Sequence, residues 1–323
     1  MIGGFVLLQI SLSISVAGPA TSPEYLPLRV AQAEGYFAEE KLDVALRGTR
    51  SAAEAAEALG RGQVQLAATS VDAALRLGHV EGAPPKLVFG LTAAPPVALL
   101  VTAAQKDVIR DLPDLAGKTI GIPSPGTPEH LTLLSLLAKA RIRLPQVTVL
   151  SLGERGLVGA VESGQVAAAV MADPYATRLV EEGKATALVD FRKPGEAARW
   201  LGKPAVHAAL FARADTRLGS AELGPLARAL LKALKRLQSA APGELEGRLS
   251  PSAVGAPADF ALRARGAREI FLPDGWVTED MLRESVRLAR ERAALPNKVN
   301  VPRGMGKLLM LEPLGQVLGP KRP

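Results

Sequence analysis

At 323 residues, with 48% apolar and 22% charged side chains, the chain can bury a large core and is too apolar to be disordered. Its net charge of +7 is spread mostly as Arg over amphipathic helices, without the basic runs interleaved with aromatics that nucleic-acid binding uses, so no nucleic-acid partner is expected. The absence of cysteine excludes disulfides, thiol catalysis, Cys-ligated metal and a Cys-linked lipid anchor; the three histidines, His79, His130 and His207, lack metal-ligand spacing, and no apolar run reaches the roughly 20 residues of a bilayer span.

From Gln9 to Val16 polar and apolar residues alternate, which predicts a first strand. The residues before it have an apolar centre but no basic start, so a leader peptide is not clearly present. A helix over 23–34 is expected to stop at Gly35, which can adopt the left-handed conformation. Tyr36 and Phe37 then pack back on it, with Glu39, Glu40 and Lys41 in water. Strands and helices alternate from there: 42–47, 51–60, 64–69, 70–78, 86–91, 97–102, 118–122, 127–140, 147–152, 155–162, 166–171, 174–182 and 186–190. A strand within "VHAALFARAD" follows, and the remainder reads as helices over 220–239, 257–269 and 278–294. In the first of these, Leu223, Leu226, Leu230, Leu231, Leu234 and Leu237 share one side, with Arg228, Lys232, Lys235 and Arg236 largely opposite, the pattern of a helix docked on its own domain.

The alternation predicts parallel sheets covered by helices. "ALGRGQVQLAATS" (58–70) is echoed by "AVESGQVAAAVMAD" (160–173), with Gly62 and Gly164 at the same place in each. The repeat predicts two lobes of similar build. Pro-rich segments at Pro95-Pro96 and between Pro194 and Pro204 are the expected crossings. Residues 1–96 and 205–323 are then one discontinuous lobe and 97–204 the other.

Four strand-to-helix junctions share one chemistry. "GPATSPEY" offers Thr21 and Ser22 before Pro23, "LAATSVDAAL" offers Thr69 and Ser70, "GIPSPGTPEHL" offers Ser124, Gly126 and Thr127 before Pro128, and "VMADPYAT" offers Asp173 before Pro174. Each is a helix-start signal that capping alone explains. Together they line the carboxyl ends of strands, where open α/β sheets bind ligands, and free backbone N–H groups there favour an anion. Gly126 lets backbone approach closely; Asp173, an acceptor, suits an amine, hydroxyl or ring N–H. A ligand with both an acidic and a donor group fits best. No Ser-His-Asp, paired-carboxylate or phosphate-loop pattern appears.

"PLRVAQAEGYFAEEKLDVAL", "LGRGQVQLAATS", "DLAGKTIGIPSPGT" and "ADPYATRLVEEGKA", in order, resemble the nitrate/sulfonate/taurine-type substrate-binding proteins of ABC transporters, in the NMT1/THI5-like superfamily. The tail "DGWVTEDMLRESVRLARERAALPNKV" resembles the closing helix of that family. The resemblance implies a two-lobed periplasmic binding protein fold of type II, with a ligand cleft between lobes that are each a mostly parallel sheet covered by helices. It implies a monomeric periplasmic protein, without cofactor, metal or catalysis, that hands a small anionic or zwitterionic organic molecule to a permease. Its ligand contacts fall on Thr21, Ser22, Tyr25, Thr69, Ser70, Ser124, Gly126, Thr127, Asp173 and Tyr175, with His207, which begins the strand after the second crossing, as a further candidate; His130, in the first turn after Thr127, is not expected among them. The alternative is an enzyme on the same fold. Pyrimidine synthases of this superfamily need a Lys and a His where this chain has Thr69 and Ala73, and their Cys-rich motif is absent. A menaquinone-pathway dehydratase also shares the fold.

Overall fold

The structure, a computed structural model, describes residues 9–80, 82–193, 195–291, 295–299 and 301–319. Residues 1–8, Pro194 and the last three residues of the expected closing helix lie outside these.

One sheet holds β1 (Ile10–Val16), β2 (Leu42–Gly48), β3 (Leu66–Ser70), β4 (Lys86–Thr92) and β10 (Ala208–Ala212), in the order β2-β1-β3-β10-β4. The other holds β5 (Val97–Thr102), β6 (Thr119–Ile122), β7 (Thr148–Ser151), β8 (Ala168–Ala172) and β9 (Ala185–Asp190), in the order β7-β6-β8-β5-β9. The two orders are the same topology used twice. Leu66 opens β3 and Ala168 opens β8, 102 residues apart, and they occupy matching registers against Ile14 of β1 and Ile120 of β6.

Both sheets are mixed rather than wholly parallel. β1, β2 and β3 run together, as do β6, β7 and β8, while β10 runs against β3 and β4, and β5 against β8 and β9. Each reversed strand is the first one made after the chain crosses from the other sheet. A chain arriving from the facing lobe enters at the edge where the other strands end, so it must run opposite to them.

Local chemistry explains the elements. In β1, Leu12, Ile14 and Val16 are buried as the alternation requires. Ser15 is buried as well, because α2 (Ala52–Gly60) covers that end of the strand and Ser15 Oγ donates to Ala55 O at 2.8 Å. The expected helix over 23–34 divides into a 3-10 turn, Pro23–Tyr25, and α1 (Leu26–Ala33). Pro27 has no N–H for Pro23 O, which accepts from Leu26 instead. Gly35 ends the segment at φ +77°, as expected.

Glu39 and Glu40 do not stand free in water. Among the later helices are α3 (Val71–Val80), α4 (Pro128–Lys139), α5 (Tyr175–Glu181), α6 (Ser220–Ser239), α7 (Pro257–Ala267) and α8 (Glu279–Glu291). The basic side of α6 lies along the acidic turn: Arg228 pairs with Glu40 at 2.7 Å, Lys232 with Glu39 and Glu40 at 3.0 Å, and Arg236 with Glu34 at 3.2 Å. The Glu40 side chain is only 12% exposed. The leucines of α6 meanwhile join the core, so both sides of this helix dock on the chain itself. After the second crossing, Ser285 of α8 pins the backbone: its Oγ accepts from Val206 N at 2.9 Å and lies 2.8 Å from Val206 O. α8 also packs against α4, tying this tail to the second sheet.

Candidate functional site

Thr127 takes the extended N-cap conformation before Pro128. Its Oγ1 accepts from His130 N at 3.4 Å and donates to Ser124 O at 2.9 Å. Gly126 has φ +80°, and its N–H donates to His130 Nδ1 at 3.0 Å. The donor expected to face an anion is therefore engaged within the loop, and the neutral His130 ring carries its proton on Nε2. Burial lowers the pKa of His130 and favours that neutral form. Thr127 acts here as a helix cap, so Thr127→Ala is expected to cost about 1 kcal/mol in urea denaturation, with Thr127→Ser close to wild type.

The other junction residues are placed as follows. Ser22 makes no side-chain cap; its N–H donates to Pro19 O at 2.9 Å. The Thr21 methyl packs over Gly255, where a Cβ would stand 3.3 Å from it. Thr69 is fully buried and donates to Ala52 O at 2.7 Å, so it is engaged with α2 rather than open to a ligand. Ser70 is buried at the start of α3, with Ala73 N donating to its Oγ at 3.4 Å. His207 has its backbone held between Thr92 O and Val71 N, and its ring is half-buried. Tyr175 is half-buried beside a groove lined by Arg155, Glu162 and Arg178.

Asp173 is not the open acceptor that the sequence suggests. Its Oδ1 accepts from Thr177 N at 3.1 Å, from Thr177 Oγ1 at 2.7 Å and from Arg192 Nη1. The buried Arg192 also grips Asp190 through Nε at 2.7 Å and Nη2 at 3.0 Å. Burial alone would lower the pKa of Arg192, but the hydrogen bonds and charges of Asp190 and Asp173 raise it above the usual value. α7 closes over this cluster: a Cβ on Gly266 would fall 2.4 Å from Asp173 Oδ2. Helix α5 correspondingly starts at Tyr175, with Pro174 as its N-cap, one residue later than expected.

The seam between the lobes is charged. Arg178 of α5 pairs with Asp259 of α7. Arg263 of α7 donates to Val254 O at 2.6 Å, makes no ion pair among the described residues, and lies in the field of Asp259, Asp173, Glu154 and Tyr175. Burial lowers its pKa. Across the seam, the buried Glu24 follows β1 and the buried Glu129 follows β6. Burial pushes the pKa of Glu24 up to about 7, its own backbone N–H offsets part of this, and the charge of Glu129 adds to it. Burial raises the pKa of Glu129, its own backbone N–H offsets part of this, and the charge of Glu154 adds to the rise.

The structure gives Glu24 and Glu129 the same buried placement, one after β1 and the other after β6. A signal for it was present. Ser22-Pro23-Glu24-Tyr25 and Thr127-Pro128-Glu129-His130 are the same pattern, hydroxyl, proline, glutamate, aromatic, after topologically equivalent strands. Arg192, Asp190 and Arg263 carried no such local pattern. Among the described residues no acid–histidine group could hold a metal ion, and no helix is long and apolar enough to cross a membrane.

The sequence matches the NMT1/THI5-like family over residues 22–236, more than half of the chain. The chain belongs to the NMT1/THI5-like family. Solved structures place it on the two-lobed periplasmic binding protein fold. The periplasmic aliphatic sulphonate binding protein SsuA of Escherichia coli is 18% identical, with TM-score 0.71 over 93% of this chain and 92% of that one. The periplasmic nitrate-binding protein NrtA of Synechocystis PCC 6803 is 14% identical, with TM-score 0.65 over 94% and 86%. A DszB mutant in complex with biphenyl-2-sulfinic acid is 16% identical, with TM-score 0.64 over 96% and 99%. No curated protein matches the sequence. NMT1/THI5-like membership thus rests on the sequence match, and the fold on the structures.

Proposed function

We propose that this NMT1/THI5-like protein is the solute-binding component of an ABC importer. It is a periplasmic monomer that closes on a small anionic or zwitterionic organic molecule and presents it to a membrane permease. The lobes are residues 1–96 with 205–323, and 97–204, hinged at about 95–100 and 195–205. The observation that carries this reading is one sheet topology used twice, with α7 lying over the junction after β8: Arg178 pairs with Asp259, Gly266 stands against Asp173, and Arg263 beside them makes no ion pair among the described residues. Arg263 is the candidate for an acidic group of the solute. A non-catalytic role is supported by Thr69 and Ala73, which are buried and hold the places where the related pyrimidine synthases need Lys and His.

A thermal-shift screen over small sulfonates, carboxylates, nitrate, amino acids and pyrimidines tests the proposal. A solute at 100 times its dissociation constant is expected to add about 2.7 kcal/mol of stability. Chemical conversion of a stabilising compound, read by mass spectrometry, would favour the enzyme alternative; a panel without any stabilising compound would count against solute capture.

A further inference from the structure

Helix α7 is built onto the first sheet. Phe260, Ala264 and Ala267 are buried, Arg263 donates to Val254 O at 2.6 Å, and beyond the helix Phe271 bridges to Thr92 of β4. Asp259, Arg263 and Gly266 repeat the same spacing one residue earlier, so they share a second face of the helix. That face meets the second lobe at two places. Asp259 pairs with Arg178 of α5 at one end. At the other, Gly266 lies against the buried Asp173–Arg192 pair, where a Cβ would strike Asp173 Oδ2 and stand 3.3 Å from Arg192 Cδ. Gly266 is not among the glycines with positive φ, and glycine within a helix is unfavourable relative to alanine. Close approach to the other lobe is what requires it. Arg263 lies between the two contacts, half-buried and without an ion pair among the described residues.

Both contacts can open. The Arg178–Asp259 side chains are 42% and 23% exposed, and a pair so placed is weak and screened by salt. The contact at Gly266 is one of packing. Its loss leaves the Asp173–Arg192 cluster intact, because the hydrogen bonds of that cluster run to Thr177 and Asp190 of the same lobe.

We infer that this face of α7 is an interlobe latch, in which Asp259 and Gly266 dock the helix on the second lobe and set the balance between parted and docked lobes. The inference rests on the two-lobed reading above and adds residues that control closure without holding the solute. Arg263 stands between the two contacts on one helix, so a solute held there favours the docked state. Weakening either contact lowers solute affinity by the factor by which the docked population falls.

The test is pulsed dipolar spectroscopy on the full chain without solute, with spin labels at Glu181→Cys of α5 and Arg265→Cys of α7, both exposed positions. The labelled protein is expected to show a broad distance distribution with a component at the docked distance. Asp259→Asn and Gly266→Leu are each expected to shift that component to longer distances, while Lys235→Ala leaves it unchanged. In about 1 M NaCl, where exposed charges are screened, the docked component is expected to shrink in the protein that keeps Asp259 and to stay as it is in Asp259→Asn. A merely structural role for Asp259 would not give that difference. Far-ultraviolet circular dichroism and urea denaturation check that the variants fold. An unchanged distribution in both folded variants overturns the latch, and so does a docked component that salt leaves alone. Solute is absent throughout, so failure here leaves solute capture to the screen above, and a screen without a stabilising compound leaves the latch standing.

Discussion

Arg192→Met is expected to cost about 3–5 kcal/mol of folding stability, the usual result of removing one partner from a buried charge cluster. Arg192, Asp173 and Asp190 have side chains less than one-tenth exposed. The guanidinium serves Asp190 through two nitrogens and Asp173 and Thr177 through the third. Methionine fills much of the volume but leaves two carboxylates buried without a counter-charge. Replacing all three charges together, as Asp173→Asn, Asp190→Asn and Arg192→Met, is expected to recover part of the loss, because no uncompensated charge then remains. Urea denaturation of the single and triple variants decides. A cost below about 1 kcal/mol, the range of exposed pairs, would mean that water reaches the cluster and that α7 does not seal it.

Glu24→Gln is expected to make the protein more stable at neutral pH and to leave it unchanged in acid. The folded-state pKa of Glu24 is about 7, against an ordinary 4.5. Between those values the folded protein holds more protons than the unfolded chain, so stability falls as pH rises. The contribution of Glu24 is fully present below about pH 4.5 and is lost as pH passes 7. The rise corresponds to roughly 3 kcal/mol. Glutamine is neutral throughout and removes this dependence. The difference between wild type and variant, measured by urea denaturation from about pH 4.5 to 8, is expected to open in favour of the variant across that window. A difference that is flat, or that opens the other way, would mean that Glu24 is hydrated or paired with a cation.

Much of the scaffold was legible because its signals are local. Alternation marks β1, a left-handed glycine marks the end at Gly35, and the repeated Gly-Gln-Val marks β3 and β8 as counterparts. The split at Pro27 and the short helices Glu196–Leu201 and Glu312–Leu318 were not, since so few residues give no readable periodicity. The site was less legible. A hydroxyl before a helix looks the same whether it caps, as Thr127 does, faces inward, as Thr69 does, or meets a ligand. The engagement of Asp173 depends on Arg192, 19 residues later in the chain, and on α7 arriving from the other lobe. The burial of Glu24 and Glu129 depends on what packs over each strand end; sequence can show the repeated tetrapeptide but not that its glutamates are buried.

The central claim, that two lobes close on a small solute, is most directly tested by an interlobe distance. The chain has no cysteine, so Lys235→Cys and Glu162→Cys, both at exposed positions, place one spin label on each lobe without competing sites. Pulsed dipolar spectroscopy is expected to show a broad distance distribution without solute and a shorter, narrower one at saturation with a compound from the screen. A distribution unchanged by a saturating compound would contradict closure between the lobes.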